Sequence, residues 1–277
     1  MLKSPLRFPG GKSRALSQIL PLVPNFQEYR EPMLGGGSLF IALKQKFPNC
    51  KFWVNDVNYE LFCFWKTLQQ SGEDLANAVA QIYYKTQDGR ELFYSLLDSY
   101  GQGDEFTRAV RFFVLNRITF SGTVDSGGYS EQAFRGRFTL SSIDRLRKIA
   151  PLLEGVEITC GDYEPLIVTP GKEVFIFLDP PYYSATASRL YGKQGKLHLE
   201  FDHHRLARVL TAINHRWLLT YDDTTFIRSL YKWCNISAWS LQYGMNNYKR
   251  SIAPPGQEIF IANYPIQCVR QLQLNLE

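Results

Sequence analysis

The sequence predicts an α/β protein: a doubly wound sheet, mostly parallel with an antiparallel last strand, interrupted by a helical insertion. Three observations carry this expectation. Residues 29–56 read as strand, glycine-rich turn, helix and strand, the unit from which doubly wound sheets are built. Val174-Phe175-Ile176-Phe177-Leu178 is a continuous apolar run, as a central strand covered on both faces requires. Residues 61–145 show helical stretches and no convincing strand. The expected division is one domain from residues 1–60 and 146–277 and a second, of about 85 residues, from 61–145.

In order along the chain, Gly10-Gly11 makes a flexible turn that opens a helix over 14–20, which Pro21 and Pro24 end. A strand through Tyr29-Arg30-Glu31 enters Gly35-Gly36-Gly37. A helix over Ser38–Lys46 follows, with Ser38 placed to cap it. Lys51–Asp56 is a strand ending on a carboxylate. Within the insertion, 61–65, 75–84, 92–97 and 106–114 read as helices, and 121–138, rich in Gly and Ser, as a long loop or hairpin. The α/β alternation then returns: helix 142–153, strand 156–159, strand Val174–Leu178, a helix to 213 capped by Asp202, strand 216–221, helix 225–231, and last strands at 236–243 and 258–263, with Pro254-Pro255-Gly256 turning the chain between them.

Bulk properties exclude several classes. A chain of 277 residues with 45% hydrophobic and 21% charged residues is an ordinary globular composition, and a net charge of +5 permits a polyanionic partner. Five cysteines, Cys50, Cys63, Cys160, Cys234 and Cys268, form no CxxC pair. No zinc site or disulfide framework is expected, and a reducing cytoplasm fits. His203-His204 points two ways on a helix and reads as solvated surface rather than a metal face. No apolar run approaches the roughly 20 residues that span a bilayer. Met1-Leu2-Lys3-Ser4-Pro5 lacks the apolar stretch of a signal peptide.

The chemistry is expected at Asp179-Pro180-Pro181-Tyr182, at the carboxyl end of the apolar strand, where open α/β sheets bind ligands. A carboxylate and a proline carbonyl could accept both N–H bonds of a planar amino group and turn its lone pair outward. Prolines fix such a backbone and lack donors of their own. Tyr182 offers a flat face for a base taken out of a duplex. The alternative is a rigid turn after a strand. A second signal is Glu31-Pro32-Met33-Leu34-Gly35-Gly36-Gly37-Ser38, where glycines let backbone approach a ligand closely. Phe40 occupies the third glycine position of the dinucleotide fingerprint, so a nucleoside without a pyrophosphate suits the turn better. Asp56, at the end of the next strand, is where a carboxylate meets ribose hydroxyls. The third signal, Phe8-Pro9-Gly10-Gly11-Lys12-Ser13, is not a P-loop, because Leu6 stands where that pattern needs glycine. Lys12 could still bind a ligand carboxylate.

Together these segments resemble the DNA adenine methylase (Dam) family of N6-adenine methyltransferases, in the family's order and over most of the chain. The resemblance rests on Leu6-Arg7-Phe8-Pro9-Gly10-Gly11-Lys12, Glu31 to Phe40, Val54-Asn55-Asp56-Val57-Asn58, Asn116-Arg117 with Phe120-Ser121-Gly122, Cys160-Gly161-Asp162-Tyr163, and Asp179-Pro180-Pro181-Tyr182. It implies an S-adenosylmethionine-dependent methyltransferase sheet acting on N6 of a flipped adenine, with Asp179, Pro180 and Tyr182 catalytic. It implies cofactor contacts at Phe8, Lys12, Asp56 and Asp179, with Glu31, Gly35 and Gly37 in the glycine loop. Asp162 and Tyr163 would hold the cofactor adenine.

The helical insertion becomes the DNA-recognition domain, with contacts at Arg7, Asn116, Arg117, Phe120, Ser121 and Gly122. Arg108, Arg111, Arg135, Arg137, Lys249 and Arg250 are phosphate candidates, against the alternative of solvated surface. The implied partner is double-stranded DNA. A cytoplasmic monomer without metal or membrane is expected, with a cognate restriction endonuclease as a further partner where the enzyme is not solitary.

Two departures stand out. Phe8 replaces the family's frequent Trp. Members reading GATC carry Tyr-Asn-Gly-Leu-Cys-Arg where this chain has Phe120-Ser121-Gly122-Thr123-Val124-Asp125. Asp125 would accept from cytosine N4 rather than donate to guanine, so GATC recognition does not follow from the resemblance. Phe120 keeps the apolar face of a base-stack wedge. Methylation of cytosine N4, or of an RNA or protein amino group, uses the same logic. A non-catalytic DNA-binding protein with this fold is the reading from a different class.

Overall fold

The computed structural model describes residues 1–124, 127–184, 201–241 and 256–266. Seven strands form one sheet in the order β3-β2-β1-β4-β5-β7-β6: β1 (Glu28–Glu31), β2 (Lys51–Asp56), β3 (Glu157–Cys160), β4 (Val174–Leu178), β5 (Arg216–Asp222), β6 (Asn235–Leu241) and β7 (Gly256–Ala262). All neighbours pair in parallel except those of β7, which runs antiparallel to both β5 and β6. The doubly wound sheet with an antiparallel last strand is thus the observed architecture. Its strand order reverses between β1 and β4, which opens a crevice at their carboxyl ends.

Alternation along β4 explains its position. Phe175 and Phe177 join one apolar cluster, and Val174, Ile176 and Leu178 the other, so both faces of the strand are covered. Ten helices are described: α1 (Leu16–Ile19), α2 (Ser38–Lys46), α3 (Tyr59–Lys85), α4 (Gly89–Asp98), α5 (Glu105–Ile118), α6 (Glu131–Arg137), α7 (Leu140–Ile149), α8 (Glu164–Val168), α9 (His203–Thr211) and α10 (Thr225–Leu230). Asn58 starts α3 by accepting the N–H groups of Glu60 and Leu61. Trp65 on α3 then reaches back to the sheet, its indole N–H donating to the Gly35 carbonyl at 3.2 Å. Phe64 stacks on Phe113 of α5 with ring centroids 5.8 Å apart. The larger apolar cluster runs from the sheet through these rings into the helical region.

Several expectations are corrected. The helices expected at 61–65 and 75–84 are one, bent at Ser71 (φ −143°, ψ 44°). The next residue, Gly72, lies so close to Ala150 that a Cβ there would overlap it. The start of α2 is turned by Gly37 in a left-handed conformation (φ 61°), without a side-chain cap from Ser38. Residues 121–138 contain α6, capped by Ser130. The helix expected at 142–153 begins at Leu140, inside a Thr139–Ser142 capping box, and closes as a tighter turn over Ala150–Leu153. The 14–20 helix is broken into short turns. The short α8 had no expectation, since five residues leave no readable period. His203 is buried, its Nδ1 2.7 Å from the Tyr221 hydroxyl; only His204 faces solvent. Two side chains one position apart on a helix point about 100° apart, and here one of them meets the core. Asp202 caps α9 as expected.

No helix among the described residues is long and apolar enough to cross a membrane. No group of three or more His, Cys, Asp or Glu among them could hold a metal.

Candidate active site

The end of β4 delivers Asp179 into the crevice between β1 and β4. A turn at the N-terminal segment meets it there: Gly10 takes a left-handed conformation (φ 69°) and the Gly11 N–H donates to the Phe8 carbonyl at 3.0 Å. This swings Lys12 inward, where it is 4% exposed. Its Nζ donates to the Asp179 carboxylate at 2.6 Å and to the Gly10 carbonyl at 2.9 Å. The Thr220 hydroxyl donates to Asp179 Oδ1 at 2.6 Å. A buried ammonium is stable only with such a partner, so Lys12 and Asp179 hold each other in place.

Tyr182 stands beside this pair, with Lys12 Nζ 5.0 Å from its ring centroid. Its hydroxyl donates to Glu258 Oε2 at 2.6 Å, and Glu258 is buried on β7. The chain following the motif is anchored by Asp222, whose carboxylate accepts the N–H groups of Tyr183 and Ser184 at 2.9 and 2.8 Å. Pro180 is buried between these anchors.

The glycine loop forms the opposite wall. Gly35 has φ 48°, and its N–H donates to Asp56 Oδ2 at 2.9 Å. Asp56 Oδ1 accepts the Asn58 N–H, and burial pushes the Asp56 carboxyl upward. Phe8 lies against the loop, its ring 3.0 Å from where a Cβ on Gly35 would stand. Asn55 ties this loop to the next, its amide donating to the carbonyls of Pro32 and Gly161 at 3.1 and 3.0 Å.

Glu31 sits beneath the loop, 3% exposed, and accepts the Tyr29 hydroxyl at 2.6 Å. Burial pushes its carboxyl up to about 8. The nearby Asp179 and Asp56 charges add to this, while the Tyr29 hydroxyl and the Phe40 N–H oppose it. The native state therefore holds this proton more tightly than the unfolded chain. Stability present below about pH 4.5 is lost as pH rises toward 8. Glu31→Gln should flatten the fall in Tm between those limits relative to wild type, and parallel Tm-versus-pH curves for the two proteins would rule this out.

Asp162 and Tyr163 follow β3, next to Asp56, whose carbonyl accepts the Gly161 N–H at 3.1 Å. Asp162 is gripped by Arg205 of α9, Nη1 to Oδ2 at 2.7 Å and Nη2 to Oδ1 at 2.8 Å.

The positions expected to meet DNA divide differently from the sequence reading. Phe120 is 55% exposed on a tight turn completed by Ser121 (φ 55°) and Gly122 (φ 78°). Arg7 is half-buried and donates to the Thr119 carbonyl at 3.1 Å. Asn116 is fully buried. Its Oδ1 accepts the Arg7 N–H at 3.0 Å, and its Nδ2 donates to the carbonyls of Arg7 and Gly122 at 2.6 and 2.9 Å. Arg117 is buried too, donating to Asn116 Oδ1 at 3.1 Å and lying over Phe113. Burial, with the charges of Arg7, Arg145 and Arg137, pulls it down to about 9. The last turn of α5 faces inward, so Asn116 and Arg117 brace the Arg7 and Phe120–Gly122 segments rather than face solvent.

Among the phosphate candidates, Arg108 pairs with Glu60, and Arg111 is buried against the Gln102 carbonyl. Arg135 and Arg137 are exposed. Asp125, Lys249, Arg250 and the Pro254-Pro255 part of the expected turn lie outside the described residues.

The crevice thus brings together Phe8, Lys12, Glu31, Gly35, Gly37, Asp56, Asp179, Pro180 and Tyr182. Sequence reasoning named Asn55 only within the segment 54–58, without a role of its own, and missed Thr220, Asp222, Glu258 and Arg205. The signal for three of them was a polar residue inside an apolar strand: Thr220 and Asp222 in β5, Glu258 in β7.

A family model described as D12 class N6 adenine-specific DNA methyltransferase matches residues 8–245. The chain is 28% identical over 197 residues to the Type II methyltransferase M.MjaIII of Methanocaldococcus jannaschii, covering 64% of this chain and 68% of that protein. It is 26% identical over 240 residues to the DNA N-6-adenine-methyltransferase of Escherichia phage P1, covering 83% of this chain and 31% of that longer protein. It is 24% identical over 243 residues to the DNA adenine methylase of Escherichia coli K12, covering 82% and 83%.

Proposed function

This chain belongs to the D12 class of N6 adenine-specific DNA methyltransferases, and from that premise we propose that it uses S-adenosylmethionine to methylate an adenine swung out of duplex DNA at the tip of β4. The donor set fits this cofactor. Glu31, Asp56 and Asp179 are close enough for Asp179 and Asp56 to raise the Glu31 carboxyl, and Lys12 is the ammonium paired among them. With Glu31 holding its proton, the acids Asp56 and Asp179 face the ammonium of Lys12, and a ligand whose sulfonium, α-ammonium and carboxylate sum to one positive charge offsets that imbalance. Phe8, Lys12, Glu31, Gly35, Gly37 and Asp56 would hold it, with Asp162 and Tyr163 at its adenine. When bound, the cofactor supplies an electrophilic methyl group.

The protein's own contribution is orientation and polarisation. The amino lone pair of adenine is delocalised into its ring. The Asp179 carboxylate accepts one N–H and the Pro180 carbonyl the other, which draws the lone pair out of the ring. Thr220 and Lys12, both donating to the carboxylate at 2.6 Å, keep it turned toward the crevice. Tyr182 presents its face to the extruded base, with its hydroxyl held by Glu258.

Residues 61–145 would form the DNA-reading arm, with Phe120 as a wedge, and residues 1–60 and 146–277 would carry the reaction. Type II methyltransferases among the relatives support a restriction-modification setting.

The observation that carries this reading is the Lys12–Asp179–Thr220 cluster at the end of β4, facing the glycine loop. Duplex DNA incubated with the protein and methyl-labelled cofactor, then digested to nucleosides, should yield labelled N6-methyladenine. Label on N4-methylcytosine would move the reading to the other exocyclic amine. Absence of label, with no rise in Tm at saturating cofactor, would leave only DNA binding.

A further inference from the structure

We propose that Arg205 is a positioning residue that sets the Asp162 carboxylate to read the amino edge of the cofactor's purine. The inference rests on the functional reading above and deepens it. Gly161 turns the chain after β3 with φ 141°, and Asp162 Oδ1 accepts the Glu164 N–H at 2.8 Å. That single bond leaves the plane of the carboxylate free to rotate. Arg205 removes this freedom with two parallel bonds of 2.7 and 2.8 Å. The same guanidinium donates through Nε and Nη2 to Glu164 Oε2, at 3.0 and 2.5 Å. Its Cζ lies 5.0 Å from the centroid of the Tyr163 ring. One planar group therefore touches Asp162 and Tyr163 of the loop that follows β3 and Glu164, the first residue of α8.

Arg205 is itself pre-positioned. It is the third residue of α9, and its own N–H donates to the capping Asp202 at 2.8 Å. A lysine could supply the charge but not the fork that fixes a carboxylate plane.

All three side chains are partly exposed, and exposed ion pairs add little to folding stability. What the network changes is direction rather than stability. The hydrogen bonds from Arg205 also hold the Asp162 carboxyl below its ordinary range. It therefore stays an acceptor without a proton of its own. Such a group favours a 6-aminopurine, which donates N–H, and disfavours a 6-oxopurine, which presents a carbonyl.

The test is competitive binding of S-adenosylhomocysteine against S-inosylhomocysteine, which differ only at that edge. Wild type should prefer the amino compound by at least about tenfold, as expected for a hydrogen bond to a charged group. Arg205→Ala should reduce the preference to within about threefold, and Arg205→Lys should restore it only in part. In turnover, Arg205→Ala should raise KM for the cofactor far more than it lowers kcat, with Tm nearly unchanged. A full preference retained by a folded Arg205→Ala variant would overturn the proposal alone. No preference in wild type would overturn it together with the assignment of Asp162 to the cofactor adenine.

Discussion

Asp179→Asn should lower methyl transfer at saturating DNA and cofactor by about a hundredfold to a thousandfold, the usual cost of losing one positioned polar group that acts on the transition state. Asparagine nearly matches the shape of aspartate and still offers one oxygen to Lys12 and Thr220, which both donate to Asp179 now. Its amide nitrogen, however, brings N–H groups to face those of the substrate amine, and the acceptor is lost. Cofactor affinity should fall much less, because the glycine loop, Asp56 and Phe8 are untouched.

Asp179→Ala is the harsher change. It strips the partner from an ammonium that is 4% exposed, and an uncompensated buried charge costs about 3–5 kcal/mol. Both variants remove the counter-charge of Lys12 and should lose stability, the asparagine variant less because its amide oxygen still accepts from Lys12 and Thr220. Single-turnover transfer with labelled cofactor, alongside calorimetric binding, separates the two. Near-normal turnover in either variant would remove Asp179 from the mechanism.

Asn116→Ala should destabilise the protein by about 2–4 kcal/mol, although the position was expected to contact DNA. Its amide serves the N–H and C=O of Arg7 and the C=O of Gly122, and each buried backbone group left unpaired costs about 1–3 kcal/mol. Water can reach the half-buried Arg7, which keeps the total below the sum. A fall in Tm of roughly 3–7 °C is expected.

The same change should weaken DNA binding indirectly. The Phe120–Gly122 turn is packed so closely on the Arg7 backbone that a Cβ at Gly122 would overlap the Arg7 carbonyl. Release of Asn116 frees both segments at once. A variant with Tm within about a degree of wild type would show that these bonds are replaced by water at no cost.

The strands and helices closest to expectation share a physical property. Val174–Leu178, Lys51–Asp56 and Ser38–Lys46 have bounds that match the reading. Each is an apolar pattern closed by residues that end it locally, such as Gly37 before α2, Asp56 as the last residue of β2 or Asp179 after β4. The Asp202 cap on α9 was legible for the same reason: a cap acts within three residues. The bend in α3 was not legible, because Gly72 is required by Ala150, which is remote in the chain. The inward face of Asn116 and Arg117 was not legible either. A polar residue at the end of a helix reads as surface until its partner, here Arg7, is known.

The same division holds in the candidate site. Local order in the chain determined that a glycine turn, an acidic strand end and an Asp-Pro-Pro-Tyr turn exist, since turn chemistry and strand periodicity depend on a few adjacent residues. Only the tertiary structure decided that Lys12 meets Asp179 across 167 positions, that Glu258 takes the Tyr182 hydroxyl, and that Arg205 grips Asp162. Such pairings depend on which strands lie side by side and which faces are buried, and those choices belong to the packing of the whole sheet.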